Sequence, residues 1–170
     1  MAITRLGGAN AISGTIPQGN IANASLGAVT ALPAGVGGKV LNSYTDVNGA
    51  SETTTSTSFV ISGNSITLTP VSSSSKFLLI FNAVLEVTNG GRPEFTFFRN
   101  STNIGTGANA SIVRDQDTSN INVSYGMHKL DSPNTASQII YSMYYRSDNG
   151  NTLNANSGGE ANLTILEIGT

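Results

Sequence analysis

His128 is the only histidine in the sequence, so it is the first residue to consider as a catalytic group. A catalytic histidine needs an acid that orients its imidazole and a nucleophile or proton acceptor that it serves. No G-x-S-x-G motif marks one of the 21 serines as such a nucleophile. In the segment NINVSYGMHKL, apolar and polar residues alternate, and His128 falls on the polar face. This pattern predicts a half-buried strand whose histidine faces solvent or an interface.

The segment DQDTS places oxygen-bearing side chains at alternate positions, Asp115, Asp117 and Ser119, as a calcium-binding loop does. The glycine that such a loop needs at its sixth position is replaced by Asn120, and its twelfth position is Gly126 where an EF-hand has glutamate. We therefore predict a solvated loop, with a weak cation site as the alternative.

Other chemical motifs are also incomplete. Gly105 and Gly107 lack the third glycine and the lysine of the known phosphate-binding loops, and the chain has no cysteine to act as a nucleophile or metal ligand. A pair of carboxylates for glycoside hydrolysis could come from any of ten acidic residues, and their spacing does not single out one pair. The sequence therefore predicts a non-enzymatic protein without cofactor or metal. A small hydrolase on a jelly-roll scaffold is the alternative, and it would require two acids in a deep cleft.

Three tyrosines follow each other closely in the segment SQIIYSMYYRS. Alternation along a strand puts Tyr141 and Tyr145 on one face and Tyr144 on the other. One set can fill a core, and the other is either a plain surface tyrosine or part of a symmetric interface, where tyrosine is favoured.

The composition indicates which elements carry these residues. Ser, Thr, Asn and Gly together account for 78 of the 170 positions, and these residue types favour turns and exposed sheet faces over helix interiors. Eight basic and ten acidic residues form no basic run, which argues against binding to nucleic acid or to an anionic membrane. Neither an apolar stretch of 18 residues nor the apolar core of a signal peptide is present. We expect a protein that is made in the cytoplasm, is not inserted in a membrane and is not secreted.

Residues 1–38 differ from the rest of the chain. They show no period of 2 or 3.6, and Pro17 and Pro33 oppose a continuous helix. Isolated apolar side chains recur at Ile12, Ile16, Ile21, Leu26, Val29 and Leu32. A disordered tail is one interpretation; the spaced Ile and Leu favour the other, an extended arm that anchors to a partner's surface. Gly35 to Gly38 would be the hinge between this arm and a domain over residues 39–170.

From Lys39 onward, short apolar segments are separated by turn signals, as in an all-β domain. KFLLIFNAVLEV, from Lys76 to Val87, is the most apolar segment and is predicted to be a central strand. Gly63-Asn64 and Asn89-Gly90-Gly91 predict tight turns, the second of them a hairpin. Eight to ten strands and no helix predict an antiparallel, jelly-roll-like β-sandwich with an extended N-terminal arm. An immunoglobulin-like sandwich is the main rival.

The segments ISGTIPQGNIANASLGAV, TSTSFVISGNSITLTPVSSSSKFLLIF and ANLTILEIGT resemble small virion proteins of marine tailed phages. The resemblance implies a TNF-like or related jelly roll that forms homotrimers and serves as a tail fibre, receptor-binding tip or capsid decoration protein. It also implies that aromatic residues pack near the threefold axis, and Tyr125, Tyr141 and Tyr144 are the matching candidates. Because the chain has no shaft repeats, a decoration protein or a short fibre is favoured over a long fibre.

Two non-enzymatic hypotheses follow. In the first, the chain is a trimeric protein of the virion surface that attaches to the capsid or tail through residues 1–38. In the second, it is a fibre tip that binds a receptor, such as a glycan of the host surface.

Overall fold

The computed structural model describes residues 40–88, 90–114, 121–156 and 159–169. These residues form a β-sandwich of antiparallel strands, which confirms the predicted fold class. The strands are β1 Val40–Asn48, β2 Glu52–Thr54, β3 Val60–Leu68, β4 Lys76–Val87, β5 Pro93–Arg99, β6 Thr102–Asn103, β7 Val113–Arg114, β8 Ile121–Asp131, β9 Ile139–Ser147, β10 Leu153–Ala155 and β11 Ala161–Ile168. A single 3₁₀ turn, Ala108–Ala110, lies between β6 and β7. The predicted arm lies outside the described residues.

One sheet, sheet A, is built around β4. One edge of β4 pairs with β8 along the whole strand. The other edge of β4 pairs with β11 over its first part and with β10 over its last part. Strands β1 and β2 in turn pair with β11 and β10. Sheet A therefore has four lanes, in the order β1/β2, β11/β10, β4 and β8. The prediction of Lys76 to Val87 as a central strand is confirmed.

The second sheet, sheet B, has the order β3, β9 and β5, and the short strands β6 and β7 share the far edge of β5. Three pairs of short or consecutive strands, β1 with β2, β6 with β7 and β10 with β11, each occupy one position in their sheet, so the sandwich has eight strand positions. When these positions are numbered along the chain, the order is 1-8-3-6 in sheet A and 2-7-4-5 in sheet B. Each sheet thus contains strands from both ends of the domain, which is the double Greek-key arrangement of a jelly roll.

The core lies between the sheets and follows the two-residue period of the strands. In β4, every second residue from Phe77 to Val87 is buried, while the intervening residues face outward. In β9, Ile139, Tyr141, Met143 and Tyr145 are buried in the same way. Burying such a side chain contributes roughly 1.5–3 kcal/mol each. The alternation therefore explains both the pairing register and the stability of the sandwich.

Two predicted turns are wrong in what they connect. At Gly63-Asn64 the chain does not reverse; β3 continues through it, and its pairing register with β9 shifts between Ile61 and Ser65. Gly63 has φ +75°, so the glycine accommodates a β-bulge in place of a turn. After β4, the chain does not form a hairpin, because β4 belongs to sheet A and β5 to sheet B.

None of the described segments forms a helix with the length and apolar character that a membrane span requires.

Candidate functional site

The three tyrosines proposed for an interface lie in different environments. Tyr141 is fully buried between the sheets, and its hydroxyl donates to Asp131 Oδ2 at 2.6 Å. Burial, followed by the hydrogen bond and charge of Asp131, raises its pKa well above the ordinary value. Within one copy, this side chain therefore packs in the core, and its assignment as an interface residue stays a prediction.

Tyr125 also faces inward. Its ring packs against the core, with its centroid 5.3 Å from that of Phe95. It is half-buried and packs against the core within one copy, and its assignment to a threefold interface stays a prediction. Tyr144 is the one of the three that lies on an outer face, as the alternation predicts.

The end of the sandwich near Tyr141 is closed by a polar contact between the sheets. Arg99 Nη1 of sheet B lies 2.7 Å from Asp131 Oδ2 of sheet A, the same oxygen that accepts from Tyr141. These three side chains come from three strands, β5, β8 and β9. They fix the sheets to each other at this end and have a structural role.

The outer surface of sheet A, which we call face A, carries few charges. Three neighbouring strands, β4, β8 and β11, supply most of this face. The outward-facing residues are Lys76, Leu78, Ile80, Asn82, Val84 and Glu86 on β4, Asn122, Ser124, Gly126, His128 and Leu130 on β8, and Asn162, Thr164, Leu166 and Ile168 on β11. Leu166, Leu78 and Leu130 lie side by side in register across three strands. Leu130 is 53% exposed and Ile80 is 41% exposed. Face A is thus a partly apolar surface that is open to its surroundings.

An open depression of about 500 Å³ lies in the middle of face A. Gly126, which has no side chain, leaves the space, and Ile80, Asn82 and His128 border it together with Asn162 and Thr164. His128 lies opposite Ile80 and is exposed, in agreement with its predicted position on the polar face. The lining of the depression is mainly apolar, with amide and hydroxyl groups at its border.

The outer surface of sheet B, which we call face B, is different because residues 103–114 lie across it. Below them is Glu94, whose carboxylate is fully buried. Arg146 Nη2 lies 2.6 Å from Oε2, and Arg114 Nε lies 2.5 Å from Oε1. Asn109 Nδ2 donates to Oε1 at 3.1 Å, and Ser111 Oγ donates to Oε2 at 3.0 Å. Every oxygen of this buried carboxylate is therefore satisfied, as a buried charge requires.

The charge of Glu94 is stabilised by these partners. Burial alone would raise the pKa of this carboxyl, but the hydrogen bonds from Asn109, Arg146 and Ser111 and the positive charge of Arg146 hold it below its ordinary value. A second contact fixes the start of the covering segment, since Thr96 Oγ1 donates to Asn103 Oδ1 at 2.7 Å. Glu94 was missed in the sequence; the signal that could have found it is an acidic residue inside an otherwise aromatic strand, PEFTFF.

The rest of face B carries an aromatic surface. The rings of Phe98 and Tyr144 stack with centroids 4.0 Å apart, and Phe59 meets Phe98 edge-on at 6.3 Å. The guanidinium carbon of Arg146 lies 4.4 Å from the centroid of Phe59, within cation–π distance. Exposed Ile61 and Ile140 lie beside these rings. This aromatic surface is a second candidate for contact with a ligand or partner.

Several predicted sites fall outside the described residues. They are the arm residues Ile12, Ile16, Ile21, Leu26, Val29 and Leu32, and the loop with Asp115, Asp117 and Ser119. Their assignments stay predictions. Within the described ranges, no three histidine, aspartate or glutamate side chains are grouped so that they could hold a metal ion.

No protein-family model matches the chain. A comparison with curated proteins finds none that is similar to it.

Proposed function

We propose that this chain is a non-enzymatic structural protein of a phage virion, a capsid decoration protein or short fibre that attaches through residues 1–38. One structural observation carries this proposal: the charged groups of the sandwich serve mainly to hold its own parts together. Glu94 and Asp131 form ion pairs with arginines, and Glu167 accepts from Asn42 and from the backbone of Val71. The surfaces that remain carry few charges and are partly apolar, which favours a module that assembles with other proteins over one that carries out chemistry.

The assignment to a phage particle is based on the resemblance of the sequence to small virion proteins. It also implies a homotrimer at the virion surface, and a jelly roll is compatible with that assembly. Neutral surfaces should bind through shape and apolar contact, so we expect attachment to the particle to survive high salt.

Particle composition tests this proposal. The phage is purified from infected culture on a density gradient, and the chain is sought in the particle fraction by mass spectrometry and by labelled antibody. We expect the chain on the particle, with label at many capsid sites for a decoration protein and only at the tail for a fibre. A chain that is abundant in the infected cells but absent from purified particles would overturn the proposal.

Deleting residues 1–36 tests the attachment. The described strands begin at Val40, so we expect the sandwich to keep its melting temperature while incorporation into particles is lost. Ile16→Asn or Ile21→Asn should weaken incorporation, because each buried apolar anchor contributes roughly 1.5–3 kcal/mol. Asn10→Ala and Asn20→Ala are the matched controls and should have no effect. Normal occupancy of the truncated protein would mean that the sandwich itself attaches.

The aromatic surface on face B favours a second candidate, a fibre tip that binds a host glycan. Partly exposed rings give a sugar a flat apolar surface, and the exposed hydroxyl of Ser65 lies nearby. Screening the protein against immobilised glycans, with Tyr144→Ala as the control, tests this candidate. Binding that is equal in both proteins, or no binding, would count against it.

A further inference from the structure

The two ends of face A carry opposite charge. Lys76 is at the start of β4 and is exposed, whereas Glu86 lies near the end of the same strand and also faces outward. Ten residues of strand separate them, or roughly 33 Å. Exposed Glu160, which directly precedes β11, lies at the same end as Glu86. Between these ends, the outward-facing residues of β4, β8 and β11 include no Lys, Arg, Asp or Glu.

We propose that face A packs against face A of a second copy about a two-fold axis that crosses β4 near Phe81. This arrangement makes the two β4 strands antiparallel. Because Phe81 is midway between Lys76 and Glu86, the basic end of each copy then meets the acidic end of the other. Lys76 lies toward the partner's Glu86, and Glu86 lies toward the partner's Lys76. Packed sheets cross at roughly 30°, so the ends of the two β4 strands are displaced sideways from each other. The long side chains of lysine and glutamate can span this displacement.

The same axis brings complementary shapes together. It places the row of Ile80 and His128 opposite the partner's row of Asn82 and Gly126, because these two rows are adjacent to the axis on either side. The imidazole of His128 then lies over the glycine that leaves the depression open. Leu78 and Leu130 of the leucine row are removed from water against the partner's Val84 and Ser124. A surface of this kind on a soluble domain typically marks an interface.

The size of face A is sufficient for a stable contact. Four lanes about 4.8 Å apart, each up to twelve residues long at about 3.3 Å per residue, cover roughly 750 Å². A standard protein interface buries about 800 Å² on each partner. The opposite charges at its two ends and its size together point to a second copy of this chain as the occupant of face A. This two-fold contact differs from the homotrimer that the resemblance implies, and it does not depend on whether the chain is part of a virion.

Charge reversal in the full-length chain tests the antiparallel register. The dimer Kd is measured by sedimentation equilibrium for Lys76→Glu, Glu86→Lys and the double variant. Each single reversal puts like charges together at both symmetric contacts and should raise the Kd by roughly tenfold. The double reversal restores opposite charges and should return the Kd to within about threefold of the original. Singles that weaken dimers without rescue by the double variant would overturn the arrangement.

A change at the centre tests whether face A is used at all. Ile80→Lys should raise the Kd by about a hundredfold or more, because it buries two like charges near the axis. Ile61→Lys, at a similarly exposed position of face B, is the matched control and should leave the Kd within about threefold. A monomer at all concentrations, a trimer as the resemblance implies, or dimers unaffected by Ile80→Lys would each overturn the two-fold contact. None of these outcomes bears on whether the chain is found in particles, so the two proposals can fail separately.

Discussion

The outer faces of the two sheets are finished in different ways. On face B, a segment of the chain itself covers the strand that carries Glu94, and two arginines and two neutral side chains hold it there. On face A, a row of leucines lies open. The buried charge of face B therefore holds a covering segment in place, whereas face A carries charge only near its two ends, with a row of leucines between them.

The largest effect is expected when the Glu94 carboxylate, which anchors the covering segment of face B, is removed. We expect Glu94→Ala to lower the free energy of unfolding by about 3 kcal/mol, because it leaves two arginines without their buried partner. The guanidinium groups are partly exposed, which keeps the loss at the lower end of the range for buried ion pairs. Urea denaturation at neutral pH measures it. Glu86→Ala, an outward-facing glutamate of face A, should change the value by less than about 0.5 kcal/mol, and equal losses would contradict the distinction.

Two glycines, one on each face, allow the same Gly→Ala substitution to be compared between face A and face B. A Cβ on Gly105 would collide with Thr96 Oγ1 and the carbonyl oxygen of Ala110, so Gly105→Ala should destabilise the protein by roughly 1–3 kcal/mol. A Cβ on Gly126 would meet nothing closer than the carbonyl oxygen of Phe81 at 3.9 Å. We expect Gly126→Ala to stay within about 0.5 kcal/mol of the original in thermal denaturation. If both changes had the same cost, the covering of face B would not be tight.

A smaller effect should appear in acid. The pKa of Glu94 is lower in the folded protein than its usual value of 4.5, so its ionised form stabilises the fold above that value. The contribution is lost as pH falls through the lowered folded pKa, since protonation then removes the charge. Free energies of unfolding measured from neutral pH downward should therefore fall less steeply in Glu94→Gln than in the original. Parallel curves would show that other carboxyls dominate the acid dependence.

A large part of the fold could be predicted from the sequence, because alternation is a local property. The bounds of β4 and the separation of Tyr144 from Tyr141 both follow from a two-residue period. The period does not say which face is the core, and Tyr141 is an interface candidate only through the resemblance, which implies aromatic residues near a threefold axis. Turn signals are local too: glycines at Gly63 and Gly90 show positive φ, yet they cannot specify whether the chain bulges, reverses or changes sheets.

The candidate surfaces were harder to predict for a related reason. The partners of Glu94 are 15, 17 and 52 residues away along the chain for Asn109, Ser111 and Arg146. Such a cluster exists only once the strand order is known. The leucine row of face A is equally non-local, because its three members come from three strands that pair only in the folded sheet.

The position of β11 has a consequence for how the protein is made. This strand, the last of the described strands to leave the ribosome, lies between β1 and β4 and supplies one neighbour to each. Until it is synthesised, β1 lacks its partner in sheet A, and the first half of β4 lacks a partner on the edge that β11 occupies. Closing contacts of this sequence separation makes folding slow and leaves sticky strands exposed in the meantime. The nascent chain should therefore depend on chaperones during translation, and a ribosome that stops before Ala161 should yield a product for degradation and not a partly working domain.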